Sequence, residues 1–291
     1  MIFLYSAAAL LVWGAFAFPA PPRFARAEEA AALSEGEALL SSCTTYFSEE
    51  SVGRAHNIRL AAERISGIVL SPRESFSFNA AVGERTKENG FSEAPVIERG
   101  EYVLGTGGGV CQVSGTLFHA ALEGGLRIAE SHPHSLPVSY LPPSLDAMVS
   151  KWSDLKLFNA RTSPVTIEAF CGQGALTVRV YGAPDGLLYR AESVTIASLP
   201  LPEGEEGKEG LVSESFLCIY GEGGELISRT RVRRDRYAPR PDARESERKT
   251  EENARKSAKT RVKTVDFCIR FGYNHQVTSG VPLPRPADGG G

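Results

Sequence analysis

Two periods organise the apolar residues of this chain. Between Ser51 and Ile68, the residues Ile58, Ala61, Ala62 and Ile65 recur at three- and four-residue offsets, which predicts a helix with one buried face. After Cys111, Val113, Leu117, Ala121 and Leu122 repeat those offsets, with Phe118 and Ala120 beside them, and Gly124-Gly125 ends the pattern. A shorter helix is expected over Glu28 to Cys43. Elsewhere the runs are short or alternate. Val69 to Asn79, with Phe76 and Phe78 in alternation, reads as strand, and Tyr102 to Gly109 as strand and turn. Val138–Tyr140, Lys156–Asn159, Val165–Phe170, Leu176–Tyr181, Leu187–Ala197 and Ser213–Tyr220 read as strands broken by Gly and Pro. Gly221-Glu222-Gly223-Gly224 is a hairpin turn into Glu225 to Val232. The expected class is α+β, with helices early and around Cys111, followed by antiparallel strands.

The ends of the chain differ from this core. Ile2 to Phe18 is almost wholly apolar, and Ala25-Arg26-Ala27 follows as an Ala-x-Ala step. Residues 1–27 are therefore expected to be a signal peptide or an N-terminal anchor, with 2–18 as the membrane tether if retained. No Lys or Arg precedes the apolar run, and the run is short for a full span. Residues 184–237 read as a β-rich extension of the main domain. Residues 238–263 are a charged stretch, nearly without apolar residues from Asp242 to Lys259, and are expected as linker or solvated helix. Residues 264–291 hold a short strand-like run and a Pro/Gly tail.

Composition narrows the function classes. The 291 residues, 42% of them hydrophobic, suffice for a sizeable core. A net charge of -3 offers no general attraction for nucleic acid, and none is expected as a partner. Besides Cys111, Cys43, Cys171, Cys218 and Cys268 are scattered without metal-ligand spacing and read as small buried residues.

Chemistry concentrates around Gly105-Thr106-Gly107-Gly108-Gly109-Val110-Cys111-Gln112-Val113-Ser114. Glycines permit positive φ and close approach, and the helix that follows sets Cys111 in its first turn. Unpaired N–H groups and the helix dipole stabilise a thiolate there. The alternative is a structural cysteine beside a tight turn. Downstream come Glu130-Ser131-His132-Pro133-His134-Ser135 and then Asp146. A cysteine nucleophile needs a base, and the base needs an orienting partner. Cys111, one of the two histidines and Asp146 supply these in chain order. His-x-His also suits half a zinc site, though no second paired-ligand motif exists, and a polar loop with surface histidines is the plainest alternative. The Gly105–Gln112 turn has no Lys or Arg, which speaks against a phosphate cradle.

These motifs resemble the VanW domain over about residues 44–181. The matching pieces are Asn57-Ile58-x-Leu60-Ala61-Ala62, Glu74-Ser75-Phe76-Ser77-Phe78-Asn79, Gly107 to Ser114, His132-Pro133-His134-Ser135, Asp146-Ala147 and Phe158-Asn159. Departures are Gly115 for a usual Thr, His119 for a common Asn, and Arg73 for the Gly of a Pro-Gly-Glu turn. The resemblance implies a VanW-like domain over 28–183. It also favours His134, the histidine before Ser, as the base. It further implies L,D-transpeptidase-like chemistry on peptidoglycan stem peptides, an activity attributed to some members while many others have none assigned. On that basis Cys111, His134 and Asp146 are the expected catalytic groups. Gly107, Gly108, Gly109, Gln112, Ser114, His132 and Ser135 are expected to bind substrate or its oxyanion. No metal or organic cofactor is expected, and the expected location is extracytoplasmic. A non-catalytic wall-binding or antibiotic-response module is the competing class.

Overall fold

The computed structural model describes residues 25–26, 36–98 and 101–241. Residues 1–24, with the whole N-terminal apolar segment, residues 27–35 and 99–100, and everything beyond 241, with most of the charged stretch and the tail, lie outside the described residues. The chain divides into two compact units. One holds the described residues up to Leu201 together with Lys208–Arg240; of the other, only Pro202–Gly207 and Pro241 are described.

In chain order the elements begin with β1 (Ala25–Arg26), β2 (Ala38–Tyr46), α1 (Val52–Ile65), β3 (Ile68–Leu70), β4 (Ser75–Ser77) and α2 (Phe78–Val82). There follow β5 (Glu93–Glu98), β6 (Glu101–Thr106), α3 (Val110–Glu123), β7 (Arg127–Glu130) and β8 (Lys156–Phe158). The chain continues through β9 (Val165–Gly172), β10 (Ala175–Gly182), β11 (Leu188–Leu199), β12 (Gly207–Lys208), β13 (Gly210–Tyr220) and β14 (Leu226–Tyr237). Strands and helices interleave from the start, so the helices-first order of the sequence reading is corrected, while the antiparallel α+β character stands.

The central sheet has the order β1-β3-β9-β10-β2, antiparallel throughout. Helices α1 and α3 pack on it and on each other. Ile58, Ala61 and Ile65 of α1 meet Val113, Leu117 and Ala121 of α3 over Val165, Ile167, Val178 and Val180 of the sheet, all within one buried cluster. Burial on this scale is the main force holding the layers together. Smaller sheets surround it: β4-β8-β7, the β5–β6 hairpin, and the meander β11-β13-β14.

Three local expectations need correction. Residues 38–43, expected as helix, form strand β2. Ser41, Cys43 and Thr45 point inward there, so the buried face is polar and its two-residue period is hidden from a hydrophobic count. The Val69–Asn79 stretch is not one strand. A turn closed by Glu74 N–H on Ser71 O splits it, and Ser77 Oγ accepts the Ala80 N–H to cap α2. Val138–Tyr140 forms bends, between Pro137 and Pro142-Pro143, which lack the N–H donors of a ladder. The α1 and α3 faces, the Gly124 stop and the 221–224 turn appear where periodicity places them.

Arg73 occupies a left-handed conformation, φ 67°, in the turn where the resembled pattern has Gly. Its N–H donates to Asn159 O at 2.8 Å, which fixes the turn against the β8 end. A side chain in that region costs about 1–2 kcal/mol, partly offset because Gly loses more backbone entropy on folding. Arg73→Gly is therefore expected to stabilise the fold by about 0.5–1 kcal/mol, read as a raised urea midpoint at unchanged slope; a lowered midpoint would contradict the strain.

Candidate active site

The glycine turn owes its composition to close approach. Gly107 and Gly109 have φ of 87° and 102°. A Cβ on Gly108 would lie 2.5 Å from Pro95 O, and one on Gly109 would lie 2.8 Å from Arg54 Cγ. The turn is thus wedged between the β5–β6 hairpin and α1. Fully buried Asn57 of α1 donates to Ser92 O and Gly108 O, each at 2.9 Å, and accepts from Ser92 N–H at 2.7 Å. Helix α3 starts at Val110 with Gly109 as its cap, and Cys111 falls in its first turn. Among the described residues, the amides of Gly108, Gly109 and Cys111 have no protein acceptor, whereas those of Gly107 and Gln112 are bonded to Ser92 O and Gly109 O.

Three side chains expected to act together do meet. Cys111 Sγ lies 3.5 Å from both Val149 N and Val149 O, and His134 is near enough to bear on its titration. His134 Nδ1 is 2.6 Å from Asp146 Oδ2, which also accepts the His134 backbone N–H at 2.9 Å. With Nδ1 carrying the proton toward the carboxylate, Nε2 is left for the thiol. Asp146 is fully buried. Its Oδ1 accepts from Tyr237 Oη at 2.7 Å and Arg233 Nη2 at 3.3 Å, and its carbonyl accepts from the same Arg233 nitrogen at 2.8 Å. The Ser144 N–H in turn donates to Tyr237 Oη at 2.7 Å.

The electrostatics follow from this chain of contacts. Burial works against an Asp146 carboxylate, but His134, Tyr237 and Arg233 outweigh it and hold its pKa below the ordinary value. Burial works against a charged His134 too, yet Asp146 and Cys111 raise it to about 9. Cys111 is disfavoured as a thiolate by burial, and the hydrogen bond and charge of His134, the Val149 backbone and the Arg85 charge together lower its pKa. Both shifts run in the direction that favours a thiolate–imidazolium pair.

The remaining expected residues divide. Gly107, Gly108, Gly109 and Gln112 line a cavity of about 660 Å³ with Cys111 and His134. The Gln112 side chain is spent within the fold, donating to Thr45 Oγ1 and Tyr46 O and accepting from Arg54 at 2.7 Å. Ser114 does not face the cavity: buried, it donates to Ala147 O at 2.6 Å and fastens α3 to the segment carrying Asp146. His132 turns away to Glu130 at 3.0 Å, so the two histidines do not converge. Ser135 is exposed outside the cavity, and its carbonyl accepts from Ala238 N–H. Among the described residues, no group of three or more His, Cys, Asp or Glu is placed to hold a metal.

Residues 53–181 match the family model described as VanW like protein. Over these residues the chain is similar to the VanW family. The chain is 41% identical over 146 residues to the uncharacterized protein YoaR of Bacillus subtilis, covering 50% of this chain and 48% of that one. It is 31% identical over 112 residues to the vancomycin B-type resistance protein VanW of Enterococcus faecalis, covering 36% of this chain and 41% of that one. The chain thus spans less than half the length of these relatives, and no solved structure matches it.

Arg233 and Tyr237 sit on β14, beyond the end of the VanW-like match, yet they complete the surroundings of Asp146 inside it. Sequence reasoning missed both, together with Arg85, which lines the cavity. The usable signal was the inward alternation of Asp235 and Tyr237 at the end of an otherwise basic strand. Arg85 lies in an aperiodic loop and carried no signal.

Two outcomes are expected. Tyr237→Phe leaves Asp146 Oδ1 and the Ser144 N–H short of a buried partner and should lower stability by about 1–3 kcal/mol in urea denaturation. Iodoacetamide labelling followed by peptide mass spectrometry should modify Cys111 at lower pH than an ordinary thiol, while Cys171, raised to about 11 by burial, stays unlabelled. In His134→Ala only the weaker Val149 and Arg85 contributions still oppose burial, so the Cys111 inflection should move up in pH.

Proposed function

We propose that this protein is an exported cysteine acyltransferase of peptidoglycan stem peptides, L,D-transpeptidase-like in chemistry. The observation that carries the reading is the His134–Asp146 hydrogen bond at a cavity that Cys111 and His134 line together. One relative is named as a vancomycin B-type resistance protein, which supports a cell-wall setting.

In the proposed reaction, Cys111 Sγ attacks the carbonyl carbon of the third stem residue. The C–N bond to the terminal D-alanine breaks as protonated His134 hands its proton to the departing amine, leaving a thioester. The side-chain amine of a second stem then attacks the thioester carbonyl, gives its proton to His134 and releases the Cys111 thiolate. Water in place of that amine makes the same site a carboxypeptidase. Asp146 keeps the imidazole oriented and charged between the steps. The unpaired amides of Gly108, Gly109 and Cys111 are the donors for the tetrahedral oxyanion, a role worth about 3 kcal/mol per donor in comparable sites. The substrate class puts the working protein outside the cytoplasmic membrane, in keeping with the apolar N-terminal run.

Purified protein incubated with tetrapeptide muropeptides should form dimers or release D-alanine, both visible by mass spectrometry. Cys111→Ala should abolish both while retaining the native melting transition. His134→Ala should cost roughly 10²-fold or more, and His132→Ala only a few-fold. Equal losses at the two histidines would reject His134 as the base. A wild-type protein that binds stems and never turns them over is the result expected of a binding module.

A further inference from the structure

Arg85 is the one guanidinium among the described residues that faces the same cavity as Cys111 and His134. Its stem is held firmly. A Cβ on Gly107 would lie 2.7 Å from Arg85 Cβ and 2.9 Å from Cγ, so the missing side chain at Gly107 makes room for it. The guanidinium lies 6.0 Å from the centroid of the Phe78 ring, and its Nη2 donates to Asn79 Oδ1 at 2.6 Å. Asn79 is itself braced, donating through Nδ2 to Ser150 O and Ser153 O, each at 3.0 Å. This is a positioned cation.

What Arg85 lacks is an anion. Two other arginines drawn into the fold have carboxylate partners: Arg161 pairs with Asp185 at 2.9 Å, and Arg233 with Asp235 at 2.7 Å and Asp146 at 3.3 Å. No carboxylate of the described residues lies within ion-pair distance of Arg85, although Glu84 and Lys151 also line the cavity. Cys111 acts on the charge of Arg85 from nearby, and beyond the Nη2 bond to Asn79 the fork donors of Arg85 are left open. A partly desolvated guanidinium with open donors is suited to a carboxylate or another planar oxyanion.

We infer that Arg85 binds the free α-carboxylate of the residue that leaves, so that the protein selects acyl donors carrying one amino acid beyond the attacked carbonyl. The inference rests on the acyl-transfer reading for the identity of the leaving residue, but the binding step requires no turnover. An α-carboxylate lies one residue from the scissile carbonyl, and the cavity that holds Cys111 also holds Arg85. An anchor there fixes the carbonyl in register with the thiolate and excludes peptides that continue or end in an amide.

The probes are Nα-acetyl-L-lysyl-D-alanine and its C-terminal amide, titrated calorimetrically into the full-length Cys111→Ala protein. The acid should bind about tenfold tighter than the amide, as expected for loss of a charged hydrogen bond. Adding Arg85→Gln, which keeps the packed stem, should remove that preference, and Arg85→Lys should restore part of it. Thermal melting and iodoacetamide labelling of Cys111 in the single Arg85→Gln variant check that the fold and thiol persist. Equal binding of acid and amide, binding of neither, or equal loss of both in Arg85→Gln overturns the inference. Selective acid binding without thioester formation in the wild type retains the anchor and rejects the transferase. Turnover of acid and amide alike does the reverse.

Discussion

A buried carboxylate with no route to water must be answered by donors, and Asp146 sets that demand at the centre of this molecule. Four donors answer it: the backbone and ring of His134, the Tyr237 hydroxyl and Arg233. Each comes with structure attached. The His134 amide holds the loop between β7 and β8 in place, and Ser114 ties the neighbouring Ala147 carbonyl to α3. Tyr237 and Arg233 bring the end of β14 onto the same segment, and Ser144 and Ser213 meet beside them at 2.5 Å. The meander thereby supports the segment that carries Asp146 from behind the cavity.

Helix α3 shows the same economy of polar groups. It is buried on nearly all sides, yet carries Gln112, Ser114 and Thr116. Each finds partners: Gln112 on β2, Thr116 on Thr45 at 2.9 Å, and Ser114 on Ala147. Buried polar groups so satisfied specify one register for the helix rather than any greasy fit. Gly115 helps, since a Cβ there would come 2.9 Å from Leu141 Cδ1. The outcome is a first turn whose Cys111 is fixed from below by packing and from the side by the Asp146 segment.

Much of this was legible in residue order, for identifiable reasons. Helices α1 and α3 announce themselves because their faces are apolar at helical spacing, and the glycine run because only glycine tolerates such contact. Cys111 and Asp146 were readable through turn chemistry and the need of a nucleophile for an oriented base, whereas His134 was preferred to His132 only through the resemblance. Strand β2 was not, since its inward residues are Ser, Cys and Thr. Gln112 and Ser114 were read as substrate-facing because proximity to Cys111 in sequence does not say which side of a helix a residue takes. Arg233 and Tyr237 lie 87 and 91 residues from their carboxylate, a pairing that no local pattern encodes.

The distance along the chain has a consequence for how the molecule comes into being. Cys111, His134 and Asp146 are all made before β11 begins, and the strand that anchors Asp146 is made well after. A ribosome working from the N-terminus releases the thiol long before the meander that settles its neighbours. Until Tyr237 arrives, Asp146 must stay solvated or take a proton, and neither state braces His134. The full set of donors around Asp146 is therefore complete only once the final strand of the meander is in place.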